Sequence, residues 1–393
     1  MSMTNGSCVL HEVVGVADFQ TVQRVSDFAA TAPGRVNLMG DHTDYNGGYV
    51  LPTVIPQRTQ AQLWLRRDRM VRVWSADVDD IQSERTYALG TEFPRGEWID
   101  YVQGATHVAS REEVALTGFD LRLHSTVPLG AGLSSSASLL VAVLRVLREA
   151  FGLSATDFDI ARLAHRAETE FVGVPVGVMD QMACSLGAAD SALFLDTMSL
   201  QYEQISLPSA AEWIVIHSGV HHSHATGAYR RRREECEEAS RLLAVPHLRA
   251  LEGEGRQRVL ARLDSLPEPL GRRARHVVTE NERVLTGVEL LEMGDMEQFG
   301  KIMYASHESL RHDYEVSIEE IDLLIDLARS ESDVYGARVT GGGFGGSVVM
   351  AARTGTASVV ASRIATVYQQ RCGGVPTVLL PSKMHHEVNA TAY

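Results

Sequence analysis

The chain has 393 residues, a formal net charge of −14, 45% hydrophobic residues and 22% charged residues. A chain of this length exceeds what one hydrophobic core usually serves, so we expect two domains. The composition is ordinary for a soluble globular protein. The acidic balance disfavours non-specific binding to nucleic acid or phospholipid, because both are anionic, but a local positive site for a nucleotide remains compatible with it.

The four cysteines lie far apart and have no paired spacing, at Cys8, Cys184, Cys236 and Cys372. This pattern is neither a disulfide framework nor a zinc ribbon, and we expect reduced thiols in a cytoplasmic protein. No run approaches the ~20 apolar residues that span a bilayer. The N-terminus lacks the basic and apolar segments of a secretion signal, so we expect no membrane partner.

Strands and helices are predicted along the chain without strict alternation. Strands are predicted at 35–39, 49–54, 61–65, 71–74, 119–126, 192–195 and 213–217, and helices at 137–150, 157–171 and 230–243 with further helices through 329. A glycine-rich turn at 339–346 leads into an apolar run at 347–352. This order favours an α+β fold over a doubly wound sheet. We predict domains at 1–205 and 206–393, with the last strands packing back on the first domain.

The segment 128–138, PLGAGLSSSAS, is the strongest candidate for binding a phosphate. Glycines allow the backbone to approach a ligand closely, and serines then stand where a helix begins, so free N–H groups and hydroxyls meet the positive end of the helix dipole. No lysine follows, which excludes a Walker A loop. A turn that only caps a helix is the less favoured alternative. The predicted nucleotide contacts are Gly130, Ala131, Gly132, Leu133, Ser134, Ser135, Ser136, Ala137 and Ser138.

The segment 34–48, GRVNLMGDHTDYNGG, concentrates an arginine, a histidine and two carboxylates in one strand–loop unit. Carboxylates beside a histidine suit the hydroxyls of a polyol. The same side chains could bind a metal, or form a loop with no further task. These residues alone leave the three alternatives open.

A third segment, TGGGFGG at 340–346, permits tight backbone packing against a ligand or another loop, and a flexible hairpin is the alternative. The histidines His221, His222 and His224 also form a group. Because no cysteine or further histidine is suitably placed, we expect a solvated loop there rather than a metal site.

Together the three segments resemble the motifs of the kinase superfamily that includes galactokinase, homoserine kinase, mevalonate kinase and phosphomevalonate kinase. The similarity to galactokinases is the closest, and segments 98–104, 177–181 and 229–238 also fit that family. The similarity spans roughly residues 30 to 350 in the expected order.

The resemblance implies an N-terminal domain like ribosomal protein S5, a ferredoxin-like C-terminal domain and an active site in the cleft between them. It also implies ATP and Mg²⁺, and phosphorylation of the C1 hydroxyl of galactose by a monomer or weak dimer that binds no nucleic acid. Asp180 is similar to the family's catalytic aspartate and Arg35 to the arginine that faces it. Ser135 and Glu168 resemble the pair that coordinates Mg²⁺. Matching positions imply adenine near Trp98 and sugar contacts at Asp41, His42, Asp44, Gly177 and Tyr229.

One residue departs from the family pattern, because galactokinases usually carry Glu where this chain has Asp41. Asp is shorter by one methylene, about 1.5 Å of reach. A shifted loop, a bridging water or a bulkier sugar would each accommodate the difference, so a kinase for a galactosamine derivative or arabinose is an alternative. A non-catalytic sugar and ATP sensor is a further alternative. The complete serine segment and Asp180 favour catalysis over that sensor.

Overall fold

The structure is a computed structural model that describes residues 25–75, 77, 84–112, 114–220 and 225–379. The strands within these residues are β1 (Phe28–Asn37), β2 (Tyr49–Val50), β3 (Pro52–Leu65), β4 (Met70–Ser75), β5 (Glu84–Ala88), β6 (Phe119–Ser125), β7 (Ser191–Asp196), β8 (Tyr202–Ser206), β9 (Ala211–His217), β10 (Val334–Thr340), β11 (Ser347–Arg353) and β12 (Thr377–Leu379). The α-helices are α1 (Asp100–Ala109), α2 (Ser135–Phe151), α3 (Asp157–Arg166), α4 (Met179–Leu186), α5 (Ala225–Leu242), α6 (Arg256–Asp264), α7 (Leu270–Met293), α8 (Met296–His312), α9 (Glu319–Ser330) and α10 (Ala357–Cys372). None of these helices is long and apolar enough to cross a membrane.

The first eight strands form one sheet, ordered β2-β7-β3-β6-β4-β5, with β1 paired to β3 and β8 paired to β7. Two predicted strands, at 49–54 and 61–65, belong largely to one long strand, β3, because the polar residues between them continue the pairing with β1. Helix α2 covers this sheet. Its Leu140, Val143 and Leu147 are buried against Leu63 and Leu121, which explains why the helix is apolar on more than one side.

The other four strands form a second, antiparallel sheet ordered β10-β11-β9-β12. Helices α5 to α9 lie between β9 and β10 along the chain, and α10 lies between β11 and β12. The resulting β-α-β-β-α-β sequence is the ferredoxin-like arrangement that the resemblance implies. Two sheets with segregated helices confirm the α+β class.

The first sheet ends at Ser206 and the second begins at Ala211, so the predicted boundary at 205 falls inside β8 and stays a prediction. The last described strand, β12, does not join the first sheet, because its backbone pairs with β9. Only its Leu379 side chain reaches the apolar cluster between the two sheets. That cluster also contains Leu38 from the end of β1 and Phe299 from α8, so the two halves share a hydrophobic interface.

Helix α8 lies directly on strand β10 at a pair of glycines. A Cβ atom on Gly300 would overlap the carbonyl oxygen of Tyr335, and one on Gly336 would overlap the backbone of Gly300. The helix and strand backbones therefore approach more closely than any side chain would permit.

We predict that Gly300→Ala destabilises the protein by about 1–3 kcal/mol, because the added methyl group meets a backbone carbonyl that cannot rotate away. Gly227→Ala is the matched control, since Gly227 is an exposed residue of α5 with no atom near its Cβ position. The control should gain roughly 0.5–1 kcal/mol from helix propensity. Urea unfolding measures both, and equal effects of the two substitutions would contradict this account of the contact.

Candidate active site

A cavity that opens to solvent lies between the two halves of the chain. Its lining contains all seven residues that the sequence assigned to catalysis or sugar binding, together with apolar and glycine neighbours from both halves. The lining residues are Arg35, Asp41, His42, Asp44, Val176, Gly177, Met179, Asp180, Tyr229, Gly341 and Gly342. Its few convergent polar groups are typical of a site for a small ligand.

Arg35 and Asp180 form an ion pair in the wall of this cavity. The Nε and Nη2 atoms of Arg35 both donate to Oδ1 of Asp180, at 2.8 and 2.5 Å. The arginine side chain is 5% exposed and the aspartate side chain 26% exposed. Because both donors use one carboxylate oxygen, the other oxygen of Asp180 is left to accept from a ligand.

Two separate elements, strand β1 and helix α4, position the two residues of this pair. Arg35 follows an irregularity in the β1–β3 pairing, and Asp180 lies in the first turn of α4. The third contact of Arg35 is a 2.7 Å hydrogen bond from Nη1 to the carbonyl oxygen of Gly132, which belongs to the serine segment. Burial lowers the pKa of Arg35, but the charge and hydrogen bonds of Asp180 outweigh burial and raise it overall. Arg35 therefore stays charged.

Asp44 and Gly177 meet on the same wall. A Cβ atom on Gly177 would overlap the carboxylate of Asp44, so only glycine leaves room for that side chain. Burial, and next the charge of Asp180, raise the pKa of Asp44 to about 7. Near neutral pH, Asp44 is therefore present in both its protonated and its charged form.

Asp41 occupies a different environment from the one expected of a sugar contact. Its side chain is 2% exposed, Oδ2 lies 2.7 Å from Nη2 of Arg338, and Oδ1 accepts from the backbone N–H of Gly341 at 3.1 Å. Burial raises its pKa and the charge of Arg338 opposes the rise. The carboxylate lines the cavity but is already held by the second half of the chain. Arg338 was not among the predicted site residues, although it stands two residues before the predicted glycine-rich segment.

The serine segment begins helix α2 as predicted, two residues earlier than the predicted helix. Gly130, Gly132 and Ser134 all have positive φ, at 69°, 74° and 61°, and Ser134 is the residue before the helix. The hydroxyl of Ser134 is buried and has no hydrogen-bond partner among the described residues. A strained non-glycine backbone with a buried free hydroxyl at a helix N-terminus suits an anion such as phosphate.

Ser138 corrects the predicted set of nucleotide contacts. Its hydroxyl is fully buried and hydrogen-bonded to the carbonyl oxygen of Ala32 and to Oγ1 of Thr59, at 2.8 and 2.9 Å. Its N–H donates to the carbonyl oxygen of Ser134 inside the helix. The hydroxyl faces the sheet and the N–H is used within the helix, so Ser138 fastens α2 to the strands below it.

Glu168 lies in a π-helical turn, Ala167–Val172, that continues α3. It is 3% exposed, and burial raises its pKa to about 7. Nε2 of Gln181 donates to its Oε2 at 2.6 Å. The hydroxyl hydrogen-bonded to Glu168 is that of Ser136, one residue beyond the predicted Ser135. Gln181 was not among the predicted site residues, although it directly follows Asp180.

The glycine-rich segment packs against the serine segment. A Cβ on Gly341 would press on the carbonyl oxygen of Gly132, and Oγ of Ser347 donates to the carbonyl oxygen of Ala131 at 2.8 Å. The glycines thus permit close backbone packing against another loop, rather than forming a flexible hairpin. The segment supports the phosphate loop from behind and contributes Gly341 and Gly342 to the cavity.

Two further predictions concern residues outside the cavity. Trp98 is half-buried beside the N-terminal core just before α1, and its indole N–H has no partner among the described residues. The histidines His221, His222 and His224 lie outside the described residues. In the part of the chain that is described, no group of three or more His, Cys, Asp or Glu side chains is arranged to hold a metal.

Comparison with known proteins places these features in a family. Residues 100–188 match the GHMP kinases N terminal domain, residues 17–63 the galactokinase galactose-binding signature, and residues 288–370 the GHMP kinases C terminal domain. A galactokinase of Roseiflexus sp. is 41% identical over 88% of this chain and 89% of its own length. The galactokinase of Streptomyces coelicolor is 43% identical over 81% of this chain and 83% of its own length.

Solved structures agree with this assignment. Lactococcus lactis galactokinase, crystallised with galactose, superposes with a TM-score of 0.85 at 30% identity, covering 90% of this chain and 92% of that one. Methanococcus jannaschii mevalonate kinase shares the fold at 15% identity and a TM-score of 0.67, over 91% of this chain and 98% of that one. The chain therefore belongs to the galactokinase family of the GHMP kinases.

Proposed function

We propose that the chain is an ATP-dependent galactokinase, which transfers the γ-phosphoryl group of ATP to the C1 hydroxyl of D-galactose and releases galactose 1-phosphate and ADP. The observation that carries this proposal is the Arg35 side chain. It contacts Asp180 in the cavity and Gly132 in the serine segment, so a carboxylate base for the sugar hydroxyl and a loop for phosphate lie on either side of one guanidinium. The relatives that carry the galactokinase name support the same substrate.

The roles of the cavity residues follow from their chemistry. The unpaired oxygen of Asp180 accepts the proton of the C1 hydroxyl, which makes the hydroxyl oxygen a better nucleophile. Arg35 holds that carboxylate in place and stabilises the negative charge that develops on the attacking oxygen. His42, Asp44, Gly177 and Tyr229 surround the rest of the sugar, and Asp41 supports their loop from the side of Arg338.

The phosphate side relies on positioning and charge neutralisation, because the transferred group passes through a loose transition state. N–H groups at the start of α2 and the free hydroxyl of Ser134 would contact phosphate oxygens. Trp98 is the proposed neighbour of the adenine.

Residues fit for Mg²⁺ lie beside this loop. Mg²⁺ prefers oxygen ligands and usually keeps waters and substrate phosphates beside one or two carboxylates. Glu168 with the hydroxyl of Ser136, or of the adjacent Ser135, provides such a set. When bound there, Mg²⁺ would neutralise the charge of the phosphates. Gln181 orients the Glu168 carboxylate for that task.

The cellular location and the oligomeric state of the enzyme are also part of the proposal. A cytoplasmic monomer or weak dimer is consistent with the thiols of Cys184, Cys236 and Cys372, which are all unpaired among the described residues.

We predict that Asp180→Asn lowers turnover by about 10²–10⁴-fold, because the amide cannot accept the hydroxyl proton. Asp326→Asn, at an exposed position of α9 outside the cavity, is the matched control and should leave turnover unchanged. Coupled detection of ADP with galactose and ATP measures both. Near-normal turnover in a folded Asp180→Asn protein would refute the role of Asp180.

Glu168→Gln tests the buried carboxylate without reference to catalysis. Burial raises the pKa of Glu168 from 4.5 to about 7, so the folded protein binds a proton that the unfolded chain releases at lower pH. The wild-type protein therefore loses stability as pH rises from about 4.5 through 7. The glutamine variant avoids this loss, and should be more stable than wild type at pH 8 by on the order of 3 kcal/mol.

Urea unfolding at pH 5 and pH 8 measures that difference, and the advantage of Glu168→Gln should shrink at pH 5. Glu170→Gln, exposed on the same π-helical turn, is the control and should show no such pH dependence. A constant difference between wild type and Glu168→Gln across this range would disprove the raised pKa. Binding of Mn²⁺ in the presence of ATP, followed by electron paramagnetic resonance, should be weaker in Glu168→Gln only.

A panel of sugars tests the substrate. We expect the highest kcat/KM with galactose, and lower values with glucose, galactosamine and arabinose. Asp41→Glu should change the use of galactose only modestly if galactose is the native substrate, because galactokinases usually carry Glu at this position. A large gain for galactose in Asp41→Glu, or a better substrate than galactose for wild type, would favour another sugar. ADP release at background with every sugar would favour a non-catalytic sensor.

A further inference from the structure

A continuous line of hydrogen-bonding side chains runs from the second half of the chain to the cavity. Sγ of Cys236, in α5, lies 3.0 Å from the hydroxyl oxygen of Tyr314, which follows α8. That oxygen lies 2.8 Å from the hydroxyl oxygen of Tyr45, which in turn lies 2.9 Å from Nδ1 of His42. We refer to Cys236, Tyr314 and Tyr45 as the hydroxyl–thiol chain.

Most of this chain of contacts is buried. Cys236 and Tyr314 are 0% exposed and His42 is 4% exposed, while Tyr45 is partly buried. Nδ2 of Asn46 donates to the backbone oxygen of His42 at 2.9 Å and so holds the residue in place. Water therefore competes little for these hydrogen bonds. The side chains that form each pair decide which of the two atoms carries the proton.

His42 ends the line at the cavity. The residue has φ of 66°, a conformation rarely adopted by residues other than glycine, and it lines the proposed sugar site. Its Nδ1 is used by Tyr45, while its Nε2 is buried and has no partner among the described residues. A buried nitrogen without a hydrogen bond destabilises a protein, so a partner from a ligand is expected at this atom.

The neighbours of His42 keep its ring neutral. Burial, followed by the nearby His276 and Arg232, lowers the pKa of His42 well below its ordinary value. A neutral imidazole carries a proton on one nitrogen only. The state of Nδ1 therefore decides whether Nε2 is a donor or an acceptor.

Tyr45 selects the state of Nδ1. A phenol is a stronger hydrogen-bond donor than a neutral imidazole N–H, and an imidazole nitrogen is a stronger acceptor than a phenol oxygen. The favoured direction therefore runs from the thiol to Tyr314, from Tyr314 to Tyr45, and from Tyr45 to Nδ1. Every proton of the three side chains is then used in a contact, whereas the opposite direction gives the sulfur, a weak acceptor, the final proton.

We propose that the hydroxyl–thiol chain fixes His42 with its proton on Nε2, and so makes His42 a hydrogen-bond donor to one hydroxyl oxygen of the bound sugar. Tyr45 is then a positioning residue for sugar recognition, with Tyr314 and Cys236 behind it. The proposal rests on the proposed function, because it places the sugar in this cavity. Asp44 and Asp180 accept hydrogen bonds in the same cavity, so His42 adds a donor that a sugar lacking the corresponding oxygen would leave unpaired.

Nitrogen NMR on protein labelled with ¹⁵N-histidine tests the proton placement without any substrate. The His42 signals are assigned by their loss in His42→Gln. We expect wild type to show a protonated Nε2 and an unprotonated Nδ1 at neutral pH. Tyr45→Phe should shift the Nδ1 signal or mix the two proton positions. Wild type with the proton on Nδ1, or Tyr45→Phe with an unchanged His42 spectrum, would overturn the proposal.

Kinetics with galactose and its monodeoxy analogues tests the consequence. Tyr45→Phe should raise the KM for galactose about three- to tenfold, the loss of one modest hydrogen bond, with kcat and the KM for ATP nearly unchanged. It should also lose discrimination against one deoxy analogue, while its discrimination at the other positions stays as in wild type. Uniform losses against every analogue, or a fall in kcat alone, would contradict a positioning role.

Two variants control for stability and for chain geometry. Tyr87→Phe removes a buried tyrosine hydroxyl that contacts Thr106 outside the cavity, and should leave the KM for galactose unchanged. Cys236→Ser keeps a group that can donate to Tyr314, and should retain the His42 spectrum better than Cys236→Ala. Equal spectra for these two variants would remove Cys236 from the chain.

The experiment separates this inference from the proposed function. Adding galactose to wild type should shift the His42 signals if the sugar occupies the cavity. If the proton placement is as expected but galactose shifts nothing, the proposed sugar site is wrong. If galactose shifts the signals but the proton resides on Nδ1, the sugar site stands and the inference about the hydroxyl–thiol chain fails.

Discussion

The geometry of the cavity depends on one fully buried guanidinium, that of Arg338. Its side chain is 0% exposed, and its Nη2 lies 2.7 Å from Asp41 and 3.5 Å from Glu280. Glu280 also accepts from Gly40 and from Arg283. Two arginines thus face two carboxylates, and the charges balance. Burying such a group away from water is costly, so each partner must be present in the folded protein. The loop that carries the proposed sugar contacts is held because Gly40 and Asp41 complete this cluster.

This cluster changes the meaning of the shorter carboxylate at position 41. A sequence comparison treats Asp41 as a shortened sugar contact, because the family usually has Glu there. In the structure, Asp41 accepts from Gly341 and pairs with Arg338, and both partners come from the second half of the chain. Its carboxylate therefore serves the contact between the two halves. In the proposed function, the polar recognition of the sugar then falls mainly to His42, Asp44 and Asp180.

Local sequence predicted the parts of the site that depend on short segments. The glycines and serines of 128–138 indicated a phosphate loop at a helix start, and the structure gives positive φ at Gly130, Gly132 and Ser134. The resemblance named Arg35 and Asp180, and they are in contact although 145 residues separate them. Sequence also indicated the α+β class, because strands and helices appear without regular alternation.

Contacts between distant segments could not be predicted in the same way. Nothing in the segment around Ser138 distinguishes its hydroxyl from that of Ser136, because the helical turn alone decides that one faces Ala32 and the other Glu168. Arg338 looks like an ordinary strand residue until Asp41 and Glu280 surround it. The strands β5, β8 and β12 are short, and their pairing partners rather than their composition define them.

Burial disfavours the charged forms of two carboxylates in the site, those of Glu168 and Asp44. Burial raises the pKa of Glu168 and of Asp44 to about 7, while Arg35 stays charged beside Asp180. An unliganded protein with two such strained carboxylates is less stable than one with neutral residues there. Binding a cation near Glu168, or sugar hydroxyls near Asp44, would favour the charged forms that burial disfavours.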